Sequence, residues 1–190
     1  RPFTKQYLYF ADIAVDEPGT NQRFLPNPTA EAENQVVCVP SVGGRTPFWC
    51  LCVGLIPNLT LTSVDANQCF PFYVYDEDGS NRRENITDWA LEQFRTHYKD
   101  ERISKRDIFY YVYAILHHPR YREKYAANLR QYLPRIPFAP DFRGFARAGA
   151  KLAELHVDYE RQAEYPLQRL ENKDEKLNWR VERMRLSKDK

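Results

Sequence analysis

The spacing of apolar residues changes once along the chain, near residue 80. Before that point, short and nearly continuous apolar runs are separated by turn-forming residues, a pattern typical of buried strands. The predicted strands cover residues 7–10, 36–39, 49–53, 59–62 and 70–75. Residues 11–32 are rich in proline, asparagine and acids and predict a long irregular connection.

After residue 85, apolar residues recur every three or four positions, as they do on one face of a helix. Thr87 is placed to cap the first predicted helix. Its apolar face consists of Ala90, Leu91, Phe94 and Tyr98. Ser104, with Asp107 three residues later, resembles a capping box and predicts the start of a second helix.

Prolines mark the limits of the third predicted helix. Pro119 suits the first turn, where a backbone N–H is not needed, and Pro134 and Pro137 end the helix. Asp141 then predicts the cap of a longer fourth helix. The face expected to be buried consists of Phe142, Phe145, Ala146, Gly149, Leu152, Ala153 and His156.

Together these elements predict an α+β fold in which an N-terminal strand-rich half packs against a C-terminal helical half. We expect one domain over 1–190, with strands and loops in 1–80 and helices in 85–160. Residues 161–190 are predicted to form an extended or polar tail.

The aromatic and basic stretch DIFYYVYAILHHPRYREKYAANLRQYLPRIPF, which starts at Asp107, allows two interpretations. It could be a surface for nucleic acid or a helical hairpin whose aromatic residues form core. The stripe of Ile108, Val112, Ile115 and Leu116 favours the hairpin and predicts other faces for Tyr110 and Tyr113. We therefore interpret the stretch mainly as scaffold, with a basic rim that could meet phosphates.

Composition limits the remaining choices. The net charge of +2 argues only weakly for a nucleic-acid partner, and no apolar run approaches the ~20 residues of a membrane helix. The four cysteines lie in apolar runs without C-x-x-C spacing, which predicts reduced core thiols, no bound metal and a cytoplasmic location.

Catalytic motifs are hard to find in this sequence. There is no glycine-rich phosphate loop, and adjacent His117 and His118 would diverge by about 100° on a helix and cannot easily share one metal ion. Cysteines buried in apolar runs are poor nucleophiles because burial raises the pKa of a thiol. The sequence thus predicts that this chain catalyses no reaction by itself.

Several motifs, in order along the chain, carry a resemblance to a known family. They are RPF at 1–3 with LYF at 8–10, the strand–loop–strand at 34–56, QCFPFYVY at 68–75, DIFYYVYAILH at 107–117, LPRIP at 133–137 and GAKLAELHVDYE at 149–160. This arrangement resembles the C-terminal specificity region of Type ISP restriction–modification enzymes over nearly the whole chain.

The resemblance implies a target recognition domain that binds double-stranded DNA within a long polypeptide. Such polypeptides also carry a nuclease, a helicase-like ATPase and an adenine-N6 methyltransferase, so the methyltransferase domain is an expected intramolecular partner. The Asn-Pro-Pro-Tyr methyltransferase motif is absent here. The resemblance therefore implies no cofactor for this chain, and S-adenosylmethionine, with ATP and Mg²⁺ as further candidates, for the full-length enzyme.

Candidate DNA-contacting residues follow from the chemistry of base and phosphate recognition. A turn projecting from a sheet can deliver an arginine to a guanine edge, and Arg45, beside Gly43 and Gly44, is the first candidate. The full predicted set is Arg45, Thr46, Lys5, Gln6, Arg82, Arg83, Lys105 and Arg106, the last four as phosphate contacts. Each could equally be an ordinary solvated side chain.

Two other functions remain open from the sequence. One is a non-catalytic protein-interaction module of a larger DNA-processing enzyme, and the other is a small hydrolase that uses His117 or a cysteine. The hydrolase lacks a nucleophile, base and orienting group at recognisable spacing. DNA affinity that falls steeply with salt would separate DNA recognition from protein interaction.

Overall fold

The structure is a computed structural model that describes residues 4–7, 23, 25–62, 64–76, 78–163 and 166. Its strands are β1 (Val36–Pro40), β2 (Leu51–Val53), β3 (Asn67–Pro71), β4 (Tyr73–Val74) and β5 (Arg83–Glu84). Its helices are α1 (Pro28–Glu33), α2 (Asp88–Tyr98), α3 (Lys105–His117), α4 (Pro119–Lys124), α5 (Ala126–Gln131) and α6 (Phe142–Val157). Strands in the N-terminal half and helices in the C-terminal half confirm the predicted α+β class.

The larger of two antiparallel sheets has the strand order β2-β1-β3, and β4 pairs with β5 in the smaller one. Side chains of β1 alternate between the two faces of the sheet, as the pleat requires. Val37 and Val39 join the large core formed with α3 and α6, whereas Val36 and Cys38 join a small cluster with Leu25, Leu51 and Leu61.

The predicted helix starts are confirmed by their caps. Thr87 caps α2, Ser104 and Asp107 form the complete capping box of α3, and Asp141 caps α6. Pro119 lies at the first turn of α4, as predicted. These capping residues predict helix starts well because each cap satisfies N–H groups that have no partner within the helix.

Four predicted elements differ from the structure. The strand predicted at 49–53 is shorter, because β2 begins at Leu51. Residues 59–62 form turns instead of a strand, because the side chains of Asn58 and Asn67 accept the backbone N–H groups of Thr60 and Leu61. The predicted strand 70–75 is interrupted at Phe72, and the helix expected from Pro119 to Pro134 is divided between α4 and α5.

The predicted irregular connection 11–32 and the strand 7–10 lie largely outside the described residues. Within the connection, α1 begins at Pro28, which contradicts a wholly irregular segment. Asn27 caps this helix by accepting the N–H of Ala30. Most of the predicted tail 161–190 also lies outside the described residues.

Helix α3 is buried on more sides than its stripe predicted. Tyr113 is fully buried, which corrects its predicted position on another face, while Val112 is only half-buried. The Tyr113 hydroxyl accepts a hydrogen bond from the backbone N–H of Cys52 at 2.8 Å and also bonds to Nδ1 of His156. A tyrosine can occupy this core position because its polar end is paired.

The contact between α3 and α6 depends on a glycine. A Cβ built on Gly149 would lie 1.9 Å from the backbone oxygen of Tyr110, well inside van der Waals contact. The two helices can therefore approach this closely only because residue 149 has no side chain.

Candidate nucleic-acid interface

A glycine-containing loop follows β1 at one end of the sheet. Gly43 has a φ of +81°, in the left-handed region that favours glycine, and Gly44 donates its backbone N–H to the Ser41 oxygen at 3.2 Å. The N–H of Gly43 donates to the backbone oxygen of Arg130 in α5 at 2.9 Å. The loop is thus attached to the helical half of the domain.

Asp65 holds the next residues of this loop. Its carboxylate accepts the backbone N–H of Arg45 at 2.9 Å, Nε of the same arginine at 3.3 Å, and the backbone N–H of Thr46 at 3.3 Å. Desolvation alone would raise the pKa of the Asp65 carboxyl, but the hydrogen bonds from Arg45 and Thr46 outweigh it and lower that pKa. The site therefore keeps a negative charge beneath the arginine.

Arg45 and Thr46 differ in what they present to solvent. The Arg45 side chain is 80% exposed despite its contact with Asp65. The Thr46 hydroxyl is buried and has no hydrogen-bond partner within the part of the chain that the structure describes. Arg45 can therefore reach an external ligand, whereas Thr46 contributes mainly through its backbone.

A second group of cations surrounds Tyr73 at the other end of β1. The guanidinium carbons of Arg82 and Arg106 lie 4.7 Å and 5.4 Å from the centroid of the Tyr73 ring. Arg106 also donates from Nη2 to the Tyr73 hydroxyl at 3.0 Å and lies 4.2 Å from the Phe72 centroid. We call Tyr73, Arg82 and Arg106, together with Arg83 and Lys105, their neighbours in the chain, the Tyr73 cluster.

Carboxylates partly neutralise the Tyr73 cluster. Arg82 pairs with Glu33, Arg83 with Asp76 at 2.7 Å, and Lys105 with Asp88 at 2.7 Å. The hydrogen bond from Lys105 lowers the pKa of the Asp88 carboxyl, and the pKa of Asp76 is lowered by Asn81 first and then by Arg83.

The side chains of the Tyr73 cluster differ in how far they are exposed to solvent. The side chains of Arg82 and Arg83 are 50% and 54% exposed, whereas that of Lys105 is only 16% exposed. Arg106 is half-buried between aromatic rings. Only Arg82 and Arg83 therefore present a large accessible cationic surface.

The remaining two predicted residues lie at a third place. Lys5 pairs with Glu160, in the 3₁₀ turn Tyr159–Arg161 that follows α6, at 2.6 Å. The hydrogen bond to Glu160 raises the pKa of the Lys5 ammonium. Gln6 beside it is exposed.

The structure does not gather the eight predicted residues into one site. Pro40, at the loop end of β1, is paired with Asn67, while Val36, at the opposite end, is paired with Pro71 just before Tyr73. Five residues of strand separate the two groups by about 13 Å. Any common ligand must therefore be extended along the sheet.

Sequence reasoning missed two residues that shape these groups. Asp65 determines the position of Arg45, but it lies twenty residues away in the chain and no local pattern marks it. Tyr73 has the guanidinium groups of both Arg82 and Arg106 over its ring, and the sequence showed it only as part of an apolar strand.

His117 and His156 form a partly buried pair rather than a reactive centre. The rings of His117 and His156 lie 5.5 Å apart, and Arg122 contacts Nδ1 of His117 at 3.2 Å. Burial, then Arg122 and His156, lower the pKa of His117 to about 4, so its ring is neutral at physiological pH. In the described ranges, no three His, Cys, Asp or Glu side chains are grouped so that they could hold a metal ion.

None of the helices in the described ranges has the length and apolar character needed to cross a membrane. The four cysteines are free thiols, and Cys38, Cys50 and Cys52 are buried.

Comparison with known proteins gives a consistent family assignment. A model of the family described as "Type ISP C-terminal specificity domain" matches residues 1–190. No curated protein matches the chain.

Three solved structures contain a region similar to this chain. A cryo-electron microscopy structure of a DrdV–DNA complex is 44% identical, with a TM-score of 0.80 over 88% of this chain and 16% of that chain. A nuclease-deletion mutant of the Type ISP restriction-modification enzyme LlaGI, in complex with a DNA substrate mimic, is 29% identical, with a TM-score of 0.69 over 87% of this chain and 14% of that one.

The ATP-dependent Type ISP restriction-modification enzyme LlaBIII bound to DNA is 27% identical, with a TM-score of 0.72 over 86% of this chain and 11% of that one. The present chain therefore spans less than one fifth of the length of each of these proteins.

Proposed function

Because this chain belongs to the family of Type ISP C-terminal specificity domains, we propose that it recognises the double-stranded DNA target of a larger restriction–modification enzyme. The observation that carries the proposal is the family match over the whole chain, supported by the similarity to three structures that contain DNA or a DNA mimic. The exposed cations at both ends of the sheet are consistent with a polyanionic ligand.

We assign base reading to the glycine loop. Arg45 is 80% exposed, and its backbone is fixed by Asp65, so its approach to a base edge is oriented in advance. An arginine in this setting can form two hydrogen bonds to O6 and N7 of guanine in the major groove. Thr46 supports the loop through its backbone hydrogen bond to the same carboxylate.

We assign phosphate contacts to the exposed part of the Tyr73 cluster. Arg82 and Arg83 are about half exposed, and a phosphate could replace the carboxylates of Glu33 and Asp76 that now pair with them. Arg106 and Lys105 act mainly as supports, because the first stacks on aromatic rings and the second is largely covered. Lys5 and Gln6 remain candidates for a peripheral contact.

Under this proposal, other domains of the full-length enzyme catalyse its reactions. This chain acts without a cofactor of its own, and the methyltransferase domain of the same polypeptide is its partner and binds S-adenosylmethionine. ATP, with Mg²⁺, would serve a motor in that polypeptide, as the ATP-dependent relative LlaBIII suggests. The DNA ligand and the free thiols support a cytoplasmic location.

The proposal is tested with the intact protein that contains this domain. Its modified sequence is first identified by mapping methylated adenines, and binding is then measured on that sequence and on a scrambled duplex across a salt series. We expect tighter binding to the identified sequence and a log affinity that falls linearly with log salt. Equal affinity for both duplexes, or no salt dependence, would contradict the proposal.

A further inference from the structure

Two cysteines face each other across the pair of strands that leads to the glycine loop. Cys38 of β1 is directly opposite Cys69 of β3 in the antiparallel register. At either side of this ladder, Phe72 donates its N–H to the Gln35 oxygen and Ser41 donates its N–H to the Ala66 oxygen. Hydrogen-bonded pairs alternate with unbonded ones, so the two cysteines form a non-hydrogen-bonded pair.

That kind of pair brings side chains closest together. Opposite residues at such positions have Cα atoms about 4.5 Å apart, which lies inside the range that a disulfide can bridge. The Sγ atoms of Cys38 and Cys69 are 3.8 Å apart. Side-chain rotation could therefore bring the sulfurs to a bond length of about 2.04 Å with little movement of the backbone.

The two thiols differ in access and in acidity. Cys69 is partly exposed, and its sulfur accepts a hydrogen bond from Nδ2 of Asn67 at 3.5 Å, whereas Cys38 is buried. The hydrogen bond with Cys38 lowers the pKa of Cys69, and the same contact, followed by burial, raises the pKa of Cys38. Cys69 is therefore the thiol that a hydroperoxide oxidises first.

Cys50 and Cys52 provide an internal comparison. Both are buried, and burial raises the pKa of each thiol, to about 12 for Cys52. They lie two residues apart in the chain, Cys52 within β2 and Cys50 just before it, without the cross-strand geometry of Cys38 and Cys69. An oxidant should therefore distinguish the two pairs of cysteines.

We propose that Cys38 and Cys69 are a modification site at which a hydroperoxide forms a reversible disulfide. The Cys69 thiolate attacks one peroxide oxygen, the O–O bond breaks, and the other oxygen leaves as water or an alcohol after taking up a proton. The Cys38 thiol then loses its proton and attacks the resulting sulfenic sulfur, and the S–O bond breaks as water leaves. The two thiols lose two electrons and two protons, which the hydroperoxide gains.

The bond would stiffen the base of the glycine loop. β1 ends at Pro40, next to the loop, and β3 begins two residues after Asp65, which holds Arg45. A covalent link between the strands ties both sides of this loop together. The importance of that loop for DNA rests on the proposed function, but the disulfide and the stiffening do not.

The test exposes the intact folded protein to hydrogen peroxide, alkylates the remaining thiols after denaturation and maps the peptides by mass spectrometry. We expect a linked peptide that contains Cys38 and Cys69, removed by dithiothreitol, while Cys50 and Cys52 stay alkylated. The Cys69→Ser protein should give no linked peptide, and the Cys50→Ala protein should behave as the wild type. Survival of both Cys38 and Cys69 thiols, or a linked peptide that joins either of them to Cys50 or Cys52 instead, would overturn the proposal.

Hydrogen exchange tests the mechanical part without using DNA. We expect the peptide covering 41–46 to exchange several-fold more slowly in the oxidised wild type than in the reduced one, with no such change in peroxide-treated Cys69→Ser. An unchanged exchange rate in protein that carries the disulfide would overturn the claim that the bond stiffens the loop. Since neither readout involves DNA, failure here is distinguishable from failure of the recognition function.

Discussion

Asp65 holds Arg45 by both its backbone and its side chain, with N···O distances of 2.9 Å and 3.3 Å to the two carboxylate oxygens. The arginine nevertheless remains 80% exposed. A residue that is oriented but not covered loses little freedom when it binds a ligand, because its backbone is already fixed. This relationship makes Arg45 the sharpest target for mutation.

Replacing Arg45 tests base reading. If the guanidinium reads a base, Arg45→Ala should cost about 1–3 kcal/mol on the target duplex and much less on random DNA. Arg45→Lys is the matched control, because it keeps the charge but loses the planar fork that forms two hydrogen bonds. It should keep affinity for random DNA while losing target discrimination. Methylation of the target at an unchanged rate in Arg45→Ala would remove this loop from the reading surface.

Replacing Asp65 should show how much target affinity depends on the orientation of Arg45, as opposed to the contact that Arg45 itself makes with DNA. Asp65→Asn keeps the shape of the side chain but weakens its hydrogen bonds to Arg45, so we expect target affinity to fall several-fold. In the double mutant with Arg45→Ala, the two losses should not add, because Asp65 acts through Arg45. Fully additive losses, measured by fluorescence anisotropy, would show that Asp65 acts elsewhere.

The Tyr73 cluster should contribute binding that does not depend on sequence. Arg82→Gln or Arg83→Gln should weaken target and random DNA alike and reduce the slope of log affinity against log salt by about one. Arg102→Gln is a suitable control, since Arg102 is 87% exposed and also paired, with Asp100, at the corner between α2 and α3. Unchanged slopes in both cluster variants would exclude these arginines as phosphate contacts.

Local signals in the sequence predicted the elements that depend on neighbouring residues. The caps at Thr87, Ser104 and Asp141 were found because each one satisfies nearby N–H groups. The contact between Arg45 and Asp65 could not be predicted, because it joins residues twenty positions apart through a loop that has no periodicity.

The burial of Tyr113 also could not be predicted from the spacing of apolar residues along α3. A single apolar stripe assumes that a helix packs on one side, whereas α3 has buried residues around most of its surface. The hydrogen bonds of its hydroxyl to Cys52 and His156 make that burial acceptable. Distant hydrogen-bond partners of this kind leave no pattern in the sequence.

The close approach of α3 and α6 gives a test of the fold. Gly149→Ala should lower the free energy of unfolding by about 1–3 kcal/mol, because the new Cβ would meet the Tyr110 oxygen at 1.9 Å and the helices must separate. This loss opposes the gain of about 1 kcal/mol that alanine normally gives in a helix. Ala148→Ser, at an exposed position on the same helix, should change stability little in the same urea titration.

Acidification should destabilise the domain through His117. Burial first, then Arg122 and His156, lower the pKa of this residue from 6.5 to about 4 in the folded state. Between these values the unfolded chain binds the proton and the folded chain does not, so stability is present above pH 6.5 and is lost as the pH falls toward 4. His117 is only partly buried, so solvent screening reduces the loss to roughly 1–2 kcal/mol.

The His117→Phe variant isolates this effect from the other titrating groups. Phenylalanine keeps a ring beside Tyr113 and removes Nε2, which is buried without a hydrogen-bond partner among the described residues. Its stability should therefore depend less on pH between 6.5 and 4, by the share that His117 contributes. Arg122 keeps its hydrogen bond to the Leu116 oxygen, so the helix ends stay joined. Urea titrations at several pH values measure the free energy of unfolding of both proteins. An identical pH dependence in the two would show that His117 is protonated as easily in the folded protein as in the unfolded chain.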